Sequence, residues 1–505
     1  MKLRDVTGHV HLVWLSLARC GLHRVTEMDL PNLRTLDLSQ NGISSLQLDV
    51  FLTLINLKTL ILSRNPLVHL STGKSELKQS ILHTLDLSFS SLTIFSSDNI
   101  SCFPQLAHLN ISFSAVDTVL DAGFSATPNL TEVDLRGNRL QKYPRDVLKK
   151  LRNLHSILSD DFTLCCRQSL PDAFPADGSC LAPSTSAVSS CEDLLGYTHH
   201  RALLLAVMLI SVLGNTTCIV WKVCVRKNAT SSPLDMLMTN LGVVDLLMGL
   251  YSMVIVVADW TYRGRYFSVK HVWTSSAVCK TASILAVISY EARAFTICII
   301  TLQGLLITFC NRIRYSLSKR STLVACMAIW TLAFGIALLP TLPTLSHWKF
   351  HGYSDNCVPL SVNMKTIQGR NYAFGVTVVL HFIVSFATFL GQVFVLLFKN
   401  SHDDCGLPIA ERSVKVSEVT SCGHVVFLDS LRRFAFSLVG AARLEGIYVP
   451  DNVNVAFVIF GFPIISALNP LLYALSVALE RRRRAAEQRL LVQLARRLAT
   501  QKHAR

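Results

Sequence analysis

Asp245 stands in the run NLGVVDLL, a single carboxylate among apolar side chains. An ionisable group is costly in such surroundings, so its presence there points to function. Asn469 precedes Pro470 and Tyr473 in FGFPIISALNPLLYA at 460–474. Proline in a helix frees a carbonyl and kinks the chain, a cost that neighbouring polar groups can absorb. Four cysteines, Cys165, Cys166, Cys180 and Cys191, share one segment without metal-type spacing. In an extracellular setting they read as two disulfides, with three pairings open. A further row recurs between leucines: Trp14, Asp37, Asp86, His108, Glu132 and Asp134. These are candidate ligand-binding residues on a modestly acidic surface. No nucleophile–base set, metal-spaced cluster or phosphate-cradling glycine loop stands out, so catalytic residues and a metal centre are not expected.

The elements that must position these residues fall in two halves. The first follows the pattern L-x-x-L-x-L-x-x-N-x-L, beginning at Leu12, Leu33, Leu57, Leu82, Leu106 and Leu130, with a seventh start at Leu154. Spacings of 21, 24, 25, 24, 24 and 24 residues give the leucine-rich-repeat period. Each unit is a short strand, a turn held by an Asn or Cys, and a return segment. Stacking turns the leucines inward and builds an α/β solenoid whose strands line a concave face, the usual site of protein binding. Repeats are expected over 1–160, and a cysteine-rich cap and hinge over 161–198. Sequons at Asn99, Asn110 and Asn129 fit an extracellular array. The first residues carry no clean signal peptide, and the chain is expected to lack its true N-terminus.

From about residue 199 long apolar runs recur, near 199–224, 235–258, 277–309, 322–346, 371–398, 424–444 and 452–477. Each is about the 20 residues that a bilayer requires. Half of the 505 residues are hydrophobic and 16% are charged, with mean hydropathy +0.41. A soluble domain carries about 25% charged residues. An all-α seven-span bundle is therefore expected over 199–478, with a basic cytoplasmic tail over 479–505. The net charge is +15, and nine Lys and Arg lie in the last 26 residues. That tail suits anionic membrane lipid rather than nucleic acid, either as an amphipathic helix or as a disordered basic segment. Seven spans with the N-terminus outside place the basic loops inside.

The motif set resembles rhodopsin-like G-protein-coupled receptors: Gly214–Asn215, Asn240 and Asp245, Cys279 opening the third span, Trp330, and NPLLY at 469–473. Repeats fused to seven spans resemble the leucine-rich-repeat-containing receptors, the glycoprotein hormone and relaxin receptor group. CEDLLGY before the first span resembles that group's hinge. YRGRY, SYEA, GYSDNCVPL and VPDNV lean toward the relaxin branch. The resemblance implies a multi-pass plasma-membrane receptor that binds a peptide or protein hormone and signals through a heterotrimeric G protein to cyclic AMP. It implies a Cys279–Cys357 disulfide. It also implies an activation network of Asn215, Asp245, Asn469, Pro470 and Tyr473, with a sodium ion and water near Asp245; no other cofactor is implied. Two departures stand out. Gln303, Gly304 and Leu305 occupy the place of an acidic residue, an arginine and an aromatic. Arg432, Arg433, Phe434 and Ala435 occupy the place of Cys-Trp-x-Pro. Adjacent arginines point about 100° apart on a helix, so they are not expected to share one inner partner. The departures favour an alternative, a decoy or co-receptor that binds ligand without coupling.

Overall fold

The computed structural model describes residues 9–72, 81–120, 123–138, 140, 143–144, 146–182, 188–225, 232–309, 317–345, 351, 355–357, 370–398, 423, 426–439, 441–442, 461, 463–471 and 474. The tail at 479–505 and Tyr473 lie outside them, as do parts of the expected sixth and seventh spans. Two compact units divide the chain. One is Met1–Asp193 with Gly264–His271, and the other is Leu194–Arg263 with Val272–Arg505.

The first unit is a solenoid. Its principal sheet is parallel and eight-stranded, built from β1 (Trp14–Ser16), β2 (Thr35–Asp37), β4 (Thr59–Ile61), β6 (Thr84–Asp86), β8 (His108–Asn110), β10 (Glu132–Asp134), β11 (Ser156–Leu158) and β12 (Ser179–Leu181). Residues at the same repeat position pair directly, as in Leu36 with Leu60 and Leu85 with Leu109. The central residue of each repeat strand from β2 to β11 is an aliphatic buried against its neighbours. The opposite side carries two short ladders, β3 (Ser45–Gln47) with β5 (His69–Ser71) and β7 (Ile94–Phe95) with β9 (Thr118–Val119), together with 3-10 turns. Among the described residues no α-helix lies in the repeats before Asp193.

Two columns carry the chain out of each strand. Asn41 donates to the carbonyls of Leu17, Leu38 and Ser39 and accepts from the amides of Cys20 and Leu22. Asn65 repeats the motif, donating to Leu38 and Leu62 and accepting from Ile43. The residue before this position is left-handed in every turn from the first to the sixth: Arg19, Gln40, Arg64, Phe89, Phe113 and Gly137, with φ between 53° and 73°. For the five non-glycine residues that conformation costs about 1–2 kcal/mol each. It aims each amide of these five at the next repeat, for example Gln40 N to Ser63 O at 2.9 Å and Arg64 N to Ser88 O at 2.8 Å. The backbone ladder thus continues through the turns.

The second unit is helical. Its helices are α1 (Thr198–Val220), α2 (Pro233–Tyr262), α4 (Ala277–Phe309), α5 (Lys319–Leu338), α6 (Arg370–Phe374) and α7 (His381–Phe398). Helix α3 (Tyr266–Ser275) begins in the first unit and ends in the second. Helical residues 426–439 and 463–471 are the longest described stretches of the expected sixth and seventh spans, here α8 and α9. Helix α2 starts at a capping box in which Ser232 and Asp235 satisfy each other's backbone amides, with Pro233 at the first helical position. Among the described residues five stretches are long and apolar enough to cross a membrane: Thr198–Cys224, Pro233–Tyr262, Ala277–Leu306, Lys319–Thr341 and Val378–Leu397.

Candidate functional site

Two surfaces hold the residues singled out in the sequence. On the eight-stranded sheet, Trp14 is exposed at the edge strand. His108 Nδ1 lies 3.1 Å from Glu132 Oε2 across β8 and β10, an exposed pair worth less than about 1 kcal/mol. The three aspartates do a second job. Asp37, Asp86 and Asp134 each close a strand by accepting the amide two residues on, from Ser39, Ser88 and Arg136, and Asn110 does the same for Ser112. Asp134 is buried and holds the Arg136 guanidinium through both oxygens, at 3.0 and 2.7 Å. Trp14, His108 and Glu132 are therefore the side chains of this row most open to a ligand. Of the sequon asparagines, Asn99 has its amide on Leu70 O and its carbonyl oxygen on Ser96 N.

The cap carries the disulfides Cys165–Cys180 and Cys166–Cys191. Cys180 sits in β12, a strand the repeat pattern did not show, which closes the sheet beyond β11. In the same unit Lys270 Nζ is 2.8 Å from Asp161 Oδ1 and His271 Nε2 is 3.9 Å from Asp161 Oδ2. Burial alone would raise the Asp161 carboxyl. The Lys270 charge and hydrogen bond, with the Thr163 amide, outweigh it and hold the group well below the usual carboxylate range. Cys102, inside the solenoid, is a free thiol that burial pushes up to about 12, which makes it unreactive.

In the helical unit Cys279 is bonded to Cys357. Trp273 Nε1 and the Tyr251 hydroxyl donate to the carbonyls of Asp355 and Asn356 beside it. Asn240 accepts from Trp330 Nε1 at 2.8 Å and donates to the Thr296 hydroxyl at 2.8 Å, which links α2, α4 and α5. Asn215 donates to Ser211 O and to Ser466 O. Gly214 lies against Pro470, where a Cβ would come within 2.7 Å of the proline ring. Asn469 donates to Asp245 Oδ2.

The centre of this unit is ionic. The Arg293 guanidinium donates to Asp245 Oδ1 and, at 3.1 Å, to Asp429 Oδ1. Asp429 also accepts from Arg433 Nε at 2.7 Å and Arg432 NH2 at 2.9 Å. The two adjacent arginines do share one inner partner, against expectation. They lie three and four residues past Asp429, so they flank it at about −60° and +40° on one helix face. Arg432 reaches on to Gly461 O and Arg433 to Tyr290 O, with both guanidiniums over the Tyr290 ring. His381 Nε2 is 2.9 Å from Glu291 Oε1, and its Nδ1 is 3.4 Å from Arg433. Glu291, Arg293 and His381 had not been singled out. An acid and a base two residues apart within an apolar run were the signal available, since each must find a partner inside.

At the end of α4, Gln303 is buried and accepts from the Leu317 amide at 3.1 Å, so it ties the helix to the start of the following segment. Gly304 follows it without a side chain.

Residues 31–77 match the family model described as leucine rich repeat. The chain is 28% identical over 332 residues to the G-protein coupled receptor GRL101 of Lymnaea stagnalis, a match covering 66% of this chain and 29% of that protein. It is 27% identical over 306 residues to relaxin receptor 2 of Homo sapiens, covering 58% of this chain and 39% of the receptor. It is 25% identical over 297 residues to the human lutropin-choriogonadotropic hormone receptor, covering 58% of this chain and 40% of the receptor. The chain thus spans less than half the length of each of these relatives.

Proposed function

We propose that this chain, a leucine-rich-repeat receptor of the G-protein-coupled type, binds a peptide or protein hormone on its repeat sheet at the plasma membrane, with the repeats outside the cell. The hormone is of the relaxin/insulin-like or glycoprotein hormone type. The observation that carries this reading is the in-register sheet, whose side chains form a continuous row on a protein that also holds, among the described residues, five membrane-length apolar stretches. A protein-sized ligand needs such a row, because single exposed contacts contribute little. The test uses full-length receptor on cells and a panel of hormones of both types. Trp14→Ala and Glu132→Lys are expected to weaken capture, the charge reversal chiefly by slowing association of a basic hormone. Unchanged binding by both variants at normal surface level would remove the sheet as the ligand surface.

A second reading, capture without G-protein coupling, is favoured by the far end of α4. There Gln303 accepts a backbone amide and Gly304 offers no side chain to a G protein. The Arg293–Asp429 ion pair that joins α4 to α8 also opposes separation of these helices, since a buried charge left without its partner is strongly disfavoured. Ligand-stimulated cyclic AMP and arrestin recruitment separate the two readings. Robust signalling by the unaltered chain rules out the second. Signal gained only with Gln303→Glu, Gly304→Arg and Leu305→Tyr together supports it.

A further inference from the structure

We infer that Arg293 is a tethered cation that takes the place of a sodium ion at Asp245, and that the helical core is insensitive to sodium. The motif resemblance implies an ion there, but the residues present do not fit one. Asp245 is fully buried, one of its oxygens accepts from Arg293, and the other accepts from the Asn469 amide. A sodium ion at such a site needs the negative charge of the carboxylate and several open oxygens. Here the charge is already met by a guanidinium in contact, and a second cation beside it would be repelled.

The surrounding charges make the same point. Asp245, Glu291 and Asp429 supply three carboxylates, and Arg293, Arg432 and Arg433 supply three guanidiniums. Among the described residues the carboxylates and guanidiniums of this cluster match one for one without an added ion, with the His381 imidazole between Glu291 and Arg433. A buried charge cluster out of balance is strongly disfavoured. Arg293 also differs from an ion in what it joins. It is covalently part of α4 and contacts acids on both α2 and α8, so it cannot leave by diffusion. A sodium ion binds the resting arrangement only while the ion concentration holds it there. A tethered guanidinium acts at every salt composition.

The measurement is the thermal unfolding midpoint of the full-length chain in lipid nanodiscs, in sodium chloride and in N-methylglucamine chloride of equal ionic strength. A site that binds sodium in the folded state raises the midpoint in sodium by mass action. The inference expects the same midpoint in both salts for the unaltered chain and for Asp245→Asn, the variant lying lower in both. It expects Arg293→Ser to be less stable than the unaltered chain and to recover part of the loss in sodium but not in N-methylglucamine. Arg293→Lys, which keeps the charge, should show no sodium response. A higher midpoint in sodium for the unaltered chain, abolished by Asp245→Asn, would overturn the inference. A folded Arg293→Ser that ignores sodium would overturn the claim that the arginine stands in for the ion. If Arg293→Ser does not fold, the unaltered chain and Asp245→Asn still decide between the two.

Discussion

The solenoid and the helical unit solve the same burial problem by different means. In the solenoid the strand-centre positions of successive repeats are filled by Leu36, Leu60, Leu85, Leu109, Val133 and Ile157, all buried. The buried polar residues there include Asn41 and Asn65, which satisfy backbone, with one buried carboxylate, Asp134, paired at the sheet face with Arg136. The helical unit buries Asp245, Asp429, Glu291, Arg293 and Arg433 with His381 at its centre. Apolar burial tolerates a missing contact at the cost of a cavity. A charge that loses its partner inside has no such fallback. The repeat core is therefore graded in its response to substitution, whereas the helical core stands or falls on pairing.

Asp429 is the place where that difference should be largest. Asp429→Ala strips the carboxylate shared by Arg293, Arg432 and Arg433, and is expected to cost about 3–5 kcal/mol or abolish surface delivery. Thermal unfolding of the membrane protein and surface labelling measure it; a loss below about 1 kcal/mol would mean that these arginines are solvated some other way. Next comes the cap. Removing the Cys166–Cys191 bridge by Cys166→Ser and Cys191→Ser is expected to cost about 3 kcal/mol from the closed 25-residue loop, read as an earlier first transition in calorimetry. Asn65→Ala leaves the carbonyl of Leu62 and the amide of Ile43 without this partner, while Leu38 O keeps Asn41, and is expected to cost about 1–3 kcal/mol. Protease resistance of the repeats should fall while the helical transition stays put.

The smallest of these effects is a pH dependence in the first unit. The folded-state value of Asp161 is depressed by Lys270, so its stabilising contribution is complete above the unfolded carboxyl value of about 3.9. It is lost as pH falls from there toward the folded value. Melting of the unaltered chain should therefore drop more steeply than that of Asp161→Asn between about pH 5 and pH 2. Parallel curves would show that the Lys270 pair contributes nothing.

How much could be read from the sequence follows the same division. The repeat strands fall where the leucine pattern places them, because one period recurs six times and each recurrence fixes the phase of the next. What the pattern hid was local. The strand-closing role of Asp37, Asp86 and Asp134 uses backbone amides that no side-chain pattern displays, and β12 lies in a segment without the repeat signature. Within the helices, Asp245 and Asn469 were legible as polar groups in apolar runs, and the resemblance joined them. Their joining to Arg293 and Asp429 was not legible. Those contacts span 48 and 136 residues of sequence, and each helix taken alone shows its charges without the partners that meet them on another helix.

The pairing of charges in the helical core is tested most directly by a double-mutant cycle on Asp245→Asn and Arg293→Gln, read by thermal unfolding of the full-length chain. Each single change leaves one buried charge without its direct counter-charge in this pair, although Arg293 keeps Asp429 and Asp245 keeps the Asn469 amide, and the double change removes both charges. Pairing predicts that the double variant loses less stability than the two single losses added together, with a coupling of about 1–3 kcal/mol. Single losses that add to within about 0.5 kcal/mol would contradict it.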